Sequence, residues 1–128
     1  MLRPHQLAAT AFGLLAALTV AAPARADGDA EAGQKTFKTH CGVCHNVAEG
    51  KNGVGPSLFG VFGRKASGAP GFKYSKANLD SGLTWDEPTL ETYLTNPREL
   101  VKGTIMAYAG LKDAAMRANV IAYIKTLK

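Results

Sequence analysis

Cys41-Gly42-Val43-Cys44-His45 is the stretch that decides how the rest of this chain is read. Two thiols separated by two residues and followed at once by histidine form the attachment pattern of a covalently bound haem. Each thiol adds to one vinyl group to make a thioether, and the adjacent imidazole is placed to bind the iron from one side. Rival readings of the cysteines fit the neighbouring sequence poorly. A Cys-x-x-Cys redox disulfide belongs at a strand-to-helix junction of an α/β fold, and no segment here alternates convincingly as a strand. A zinc site draws its four ligands from separate segments, whereas His40, Cys41, Cys44 and His45 lie within six consecutive residues. The expected cofactor is one haem c held by Cys41 and Cys44, with His45 as an axial ligand.

The flanks set the compartment. Met1 to Gln6 carries Arg3, Leu7 to Ala22 is an apolar run, and Ala24-Arg25-Ala26 is the small-x-small pattern of a signal peptidase site. The run covers about 16 residues, short of the roughly 20 a spanning helix needs, and Pro23 interrupts it. Residues 1–26 are therefore expected to be a signal peptide cleaved after Ala26, leaving 27–128 as one domain in the periplasm. The alternative is a retained membrane anchor. Loss of Arg3 and Arg25 lowers the formal charge from +5 to +3, and two haem propionates bring it near neutral. That excludes nucleic acid as a default partner and leaves room for a small basic patch that docks on acidic protein surfaces.

Within 27–128 the pattern is helical. Asp29 caps a helix to about Lys38, with Ala30, Gly33 and Phe37 on one face. Residues 46–72 are rich in glycine and turn formers and read as loop, and Ser75 to Leu79 makes one helical turn. Thr84-x-x-Glu87 reads as a capping box opening a helix to about Thr95, with Pro88 in its first turn and Asn96-Pro97 stopping it. A short helical stretch covers Pro97 to Val101, Gly103 to Gly110 is loop, and Asp113 caps a last helix with Met116, Val120, Tyr123, Ile124 and Leu127 at helical spacing. The fold class is all-α with long loops.

The second axial ligand decides between carrier and catalyst. A methionine thioether closes the iron and raises its potential, whereas an open position permits oxygen or peroxide chemistry. Two methionines follow the leader. Met116 sits on the apolar stripe of the last helix and reads as packing. Met106 sits in the glycine-bounded loop 103–110 and is the better candidate, with His40, beside Cys41, a poor third. For His45, a backbone carbonyl should receive its Nδ1–H, and Pro56 in the following loop is the natural one.

These residues resemble a known family. Cys41 to His45, Gly55-Pro-Ser-Leu-Phe-Gly-Val-Phe-Gly-Arg-Lys65, Ala69-Pro-Gly-Phe-Lys-Tyr-Ser75, Leu83-Thr-Trp85, Tyr93-Leu-Thr-Asn-Pro97, Gly103-Thr-Ile-Met106 and Ile121-Ala-Tyr-Ile124 follow, in order and almost without gaps, the pattern of class I c-type cytochromes. The resemblance implies the small cytochrome c fold, with N- and C-terminal helices crossing at Gly33, Phe37 and Tyr123 and the haem wrapped by loops. It implies Met106 as the distal ligand and Pro56 as the acceptor for the proximal histidine. It puts Tyr74, Trp85 and Arg64 at one buried propionate, Thr104 near the other, and Asn78 and Tyr93 beside the methionine sulfur. The chain departs from the mitochondrial pattern at Lys102, which stands for proline, and at Ile105, which stands for lysine. The run Leu111-Lys112-Asp113-Ala114 carries fewer lysines than the relatives, and Ser67-Gly68 shifts a glycine by one.

The function expected is one-electron transfer by a monomeric periplasmic carrier that changes no small-molecule substrate. By resemblance its partners are membrane redox complexes: a cytochrome bc complex as donor, and a terminal oxidase or photosynthetic reaction centre as acceptor. They would dock transiently at an exposed haem edge near Val43, Ile105 and Tyr108, with Lys35, Lys38, Arg98, Lys102 and Lys112 as a weak positive face. The alternatives are a cytochrome subunit dedicated to one periplasmic dehydrogenase and a haem enzyme of peroxidase type.

Overall fold

The computed structural model describes residues 27–128; the expected signal peptide and its cleavage site lie outside the described residues. Five helices follow in order, α1 Ala30–His40, α2 Lys76–Asp80, α3 Glu87–Thr95, α4 Pro97–Leu100 and α5 Ala114–Ile124. Among the described residues the only extended pairing is a single antiparallel bridge between Lys65 and Thr84. None of these helices is long and apolar enough to cross a membrane.

Local chemistry sets the helix starts. Asp29 Oδ1 accepts from the N–H groups of Glu31 and Ala32 at 2.8 and 3.1 Å, taking up two of the donors that a helix N-terminus leaves unpaired. Asp113 does the same for Met116 in α5 at 2.8 Å, and Ser75 caps α2 through Asn78 N–H at 3.1 Å. One expectation is corrected. The N-cap of α3 is Asp86, whose carboxylate accepts from Thr89 N–H at 3.0 Å, and Thr84 lies in the bridge to Lys65. Aspartate is as good a cap as threonine, and a residue already paired across a bridge is not free to serve as one.

α1 and α5 cross where neither presents a side chain. A Cβ on Gly33 would lie 1.9 Å from the carbonyl oxygen of Asn119, so only glycine allows this approach. One turn on, Phe37 meets the edge of Tyr123 with ring centroids 5.2 Å apart. α5 also packs on α3. Behind that contact Arg117, 8% exposed, donates from Nε and Nη2 to Glu91 Oε1 at 2.9 and 2.6 Å, and from Nη1 to the carbonyls of Leu111 and Lys112, both at 2.9 Å. Every donor of this guanidinium that faces the protein therefore ties α5 to α3 or to the loop before α5. Val61, Trp85, Leu90, Tyr93, Leu94, Val120, Ile121 and Ile124 form the core together with Val101, Leu111 and Leu127.

Gly33→Ala must push the helices apart, and overpacking of this kind costs about 1–3 kcal/mol. The thermal midpoint of the holoprotein should fall by roughly 4–24 °C, at 4–8 °C per kcal/mol for a domain of this size. A midpoint within a degree of the wild type would contradict the crossing described.

Candidate functional site

α1 runs out at the haem-binding pattern. The Phe37 carbonyl in its last turn accepts from the N–H groups of both Cys41 and Gly42 at 2.8 Å, and the chain then makes one more turn in which Cys44 N and His45 N donate to Cys41 O at 3.1 and 2.9 Å. That turn puts residues 41, 44 and 45 at the i, i+3 and i+4 spacing that shares a face. Cys41, Cys44 and His45 accordingly line one cavity of about 450 Å3, a volume typical of a cofactor site. Both cysteines are free of disulfide bonding. As a thiol, Cys41 is pushed up to about 11 by burial, with the charge of Cys44 adding to the effect.

The His45 ring is held from behind. Its Nδ1 lies 2.8 Å from the carbonyl oxygen of Pro56, so Nδ1 carries the proton and Nε2 keeps its lone pair for the cavity. The ring lies flat against the backbone of Gly55, where a Cβ would meet Cε1, Nδ1 and Nε2 at 2.4, 2.7 and 2.9 Å. Burial lowers the His45 pKa, and the hydrogen bond to Pro56 offsets part of that shift. The imidazole is neutral at pH 7, the form a metal ligand requires.

The opposite parts of the lining come from α3 and the loop after α4. Met106 lines the cavity with Thr104, Ile105 and Tyr108. Thr104 Oγ1 accepts from Met106 N–H at 3.2 Å, and Tyr93 Oη donates to Met106 Sδ at 3.6 Å. Desolvation raises the Tyr93 pKa, partly opposed by Thr104, so the phenol remains a donor at all ordinary pH. Gly103 and Gly110 bound this loop at φ 89° and 102°, and Leu111 N–H donates to Leu94 O at 2.7 Å where it rejoins α3. Met116 lies outside the cavity, packed against the hydrophobic core.

Tyr74, Asn78, Trp85 and Arg64 also line the cavity. Arg64 spends its two terminal nitrogens on the carbonyls of Phe59 and Ser57, at 3.0 and 3.3 Å, while its Nε is buried with no protein acceptor. Tyr74 Oη accepts from Ala69 N–H at 2.9 Å, which leaves its own hydrogen free to donate. Trp85 stacks obliquely on Tyr93, centroids 4.7 Å apart.

These features fit a haem. Two sulfurs and a neutral imidazole share one wall, a thioether lies in the same cavity, and the rest of the lining is largely aliphatic and aromatic. The buried, unpartnered Arg64 Nε calls for an anionic or carbonyl acceptor, which a propionate provides. All eleven residues singled out from the sequence border this cavity: Cys41, Cys44, His45, Pro56, Arg64, Tyr74, Asn78, Trp85, Tyr93, Thr104 and Met106. Sequence reasoning missed Gly55 as the flat bed for the His45 ring and Ser67, whose hydroxyl bonds Asn78. A glycine directly before the Pro56 acceptor was the available signal for the first. His40, set aside as a ligand, lies 3.2 Å through Nδ1 from Tyr108 Oη at the rim.

Comparison with known proteins gives a consistent result. The family profile described as Cytochrome c matches residues 30–128. Cytochrome c2 iso-2 of Magnetospirillum fulvum is 58% identical over 87 residues, covering 68% of this chain and 91% of that protein. Cytochrome c2 of Rhodoblastus acidophilus is 53% identical over 102 residues, covering 79% and 94%. Among solved structures, cytochrome cH from Methylobacterium extorquens superposes with a TM-score of 0.73 at 48% identity, covering 77% of this chain and 99% of that one.

Tyr93→Phe removes a donor from the Met106 sulfur and leaves a more electron-rich thioether, which as an iron ligand would favour the oxidised state. The midpoint potential should fall by about 30–60 mV, the equivalent of one neutral hydrogen bond at 59 mV per tenfold; an unchanged or raised potential in a redox titration would contradict the contact. For His45 the folded pKa is lowered, so below its ordinary value of about 6.5 the unfolded chain binds a proton that the folded chain does not. Stability is therefore full above about pH 6.5 and declines as pH falls below it. Thermal midpoints measured from neutral to mildly acid pH should fall, and a rise would contradict this sign.

Proposed function

This chain belongs to the cytochrome c family, and from that premise we propose that it is the mobile periplasmic carrier between a cytochrome bc complex and a terminal oxidase or photosynthetic reaction centre. It is a mono-haem electron carrier and not an enzyme, it exchanges electrons with redox partners, and its haem c is covalently attached through Cys41 and Cys44. When bound, the haem supplies an iron that cycles between Fe2+ and Fe3+ by one electron.

The protein's part is to hold that iron closed and dry. In this reading His45 and Met106 are the two axial ligands. The observation that carries it is the contact between Tyr93 Oη and Met106 Sδ at 3.6 Å, because a thioether fixed by a buried phenol in the cavity that also holds His45 is suited to stay bound in both oxidation states. Pro56 fixes the imidazole tautomer, Thr104 fixes the backbone at Met106, and Arg64, Tyr74 and Trp85 supply donors for the propionates. A site that changes little between states needs little reorganisation, which favours transfer over substrate chemistry.

Val43 and Ile105 are 78% and 72% exposed, and with Tyr108 they are the proposed rim where partners approach the haem edge. Lys35, Lys38, Arg98, Lys102 and Lys112 are exposed and would steer an acidic partner by long-range attraction. The proposed export adds that the isolated protein is a monomer beginning at Asp27 and carrying one haem, which intact mass measures directly.

Electron transfer to a membrane oxidase or reaction centre should slow as ionic strength rises from 0.01 to 0.1 M, over which the Debye length shrinks from about 30 to about 10 Å. A rate flat across that range would contradict electrostatic steering by this face.

A further inference from the structure

Ser67 is the one non-glycine residue at positive φ among the described residues, at 66°. Residues other than glycine hold this conformation only where their surroundings over-determine it. Here they do. On one side Ala66 N–H donates to Leu83 O at 2.8 Å, and on the other Ala69 N–H donates to Tyr74 Oη at 2.9 Å. The next residue, Gly68, is the one that packing requires to be glycine, since a Cβ there would meet Arg64 Cγ and Cδ and Lys65 O, each at 2.9 Å. Sequence economy would place a second glycine at 67. The chain instead carries a side chain there, and its hydroxyl donates to Asn78 Oδ1 at 2.7 Å.

Asn78 is itself fixed. Its N–H is capped by Ser75 Oγ at 3.1 Å, and its carbonyl accepts from Ser81 Oγ at 2.8 Å. Its side chain lines the same cavity as His45, Tyr93 and Met106. Ser67 takes up one of the two acceptor positions of Oδ1 and fixes the plane of the amide, while both Nδ2 hydrogens remain to donate elsewhere. The positive end of the amide dipole then disfavours additional positive charge within the cavity.

We propose that Ser67 is a positioning residue that sets the reduction potential, accepting a left-handed backbone in order to orient the Asn78 amide toward the haem cavity. This rests on the carrier reading above. It goes beyond that reading in assigning to a loop residue outside the cavity lining a tuning role.

Two variants separate orientation from strain. Ser67→Ala removes the hydroxyl and keeps the strained Cβ; Ser67→Gly removes both, and glycine adopts this φ freely. Both should lower the midpoint potential of the holoprotein by a similar amount, roughly threefold in the oxidised-to-reduced ratio, which is about 28 mV at 59 mV per tenfold. Their thermal midpoints should diverge, with Ser67→Gly the more stable. In an Asn78→Ala background, Ser67→Ala should produce no further shift in potential. Potentials that stay at the wild-type value, that follow the thermal midpoints instead of the hydroxyl, or that shift fully in the Asn78→Ala background overturn the role of Ser67. A wild-type protein with no reversible one-electron wave overturns the carrier reading as well.

Discussion

The hydrogen bond from His45 Nδ1 to the carbonyl of Pro56, 2.8 Å long, is the contact on which the rest of the site depends. A five-residue segment must present two sulfurs and an imidazole nitrogen to a single wall, yet the imidazole rotates freely on its Cβ unless something holds it. Pro56 O holds one nitrogen and the bare backbone of Gly55 holds the ring plane. The loop that carries both is fixed in turn: Leu58 N–H donates to Asn46 O at 2.9 Å, and Gly55 N–H to Cys44 O at 2.9 Å. One local hydrogen-bonded unit thus sets the direction in which Nε2 points, and α1, α2, α3, α5 and the loop after α4 each contribute to the walls of the space it faces.

That closure explains the economy of the fold. A domain of this size buries too little surface for a large core of its own, and its apolar residues divide between contacts with one another and the cavity wall. Phe37, Val61, Trp85, Leu90, Leu94 and Ile124 are buried and also border the cavity, so a haem completes the core rather than sitting on it. The close approach of Gly33 to Asn119 and the Arg117–Glu91 pair lie outside this hollow and fix its frame. The loop carrying Met106 needs no helix, because Thr104, Tyr93 and the join at Leu94 hold it at three points.

The helices were legible because their signals are local: acidic or hydroxyl caps, apolar spacing, and proline at the stop. The start of α3 is not decided by the sequence because Thr84 and Asp86 both offer a cap, and the bridge that occupies Thr84 joins residues 19 apart. His45 and Pro56 were legible from chemistry alone, since a buried ligating imidazole needs an acceptor. That Asn78, Thr104 and Tyr93 border one cavity was expected from resemblance alone, because nothing in their spacing says which residues a loop brings together. Ser67 was visible only as a glycine out of place. Its positive φ and its reach to Asn78 are long-range consequences of the Leu83 and Tyr74 anchors, which no local pattern encodes.

The central claim is that this chain closes the iron between His45 and Met106. The most direct measurement is the near-infrared absorption of the oxidised holoprotein at neutral pH, where sulfur–iron ligation gives a weak band, recorded for the wild type and for Met106→Ala. The account predicts the band in the wild type and its loss in the variant, with the haem still covalently attached. A wild-type spectrum without the band, or a band that survives in Met106→Ala, would contradict it.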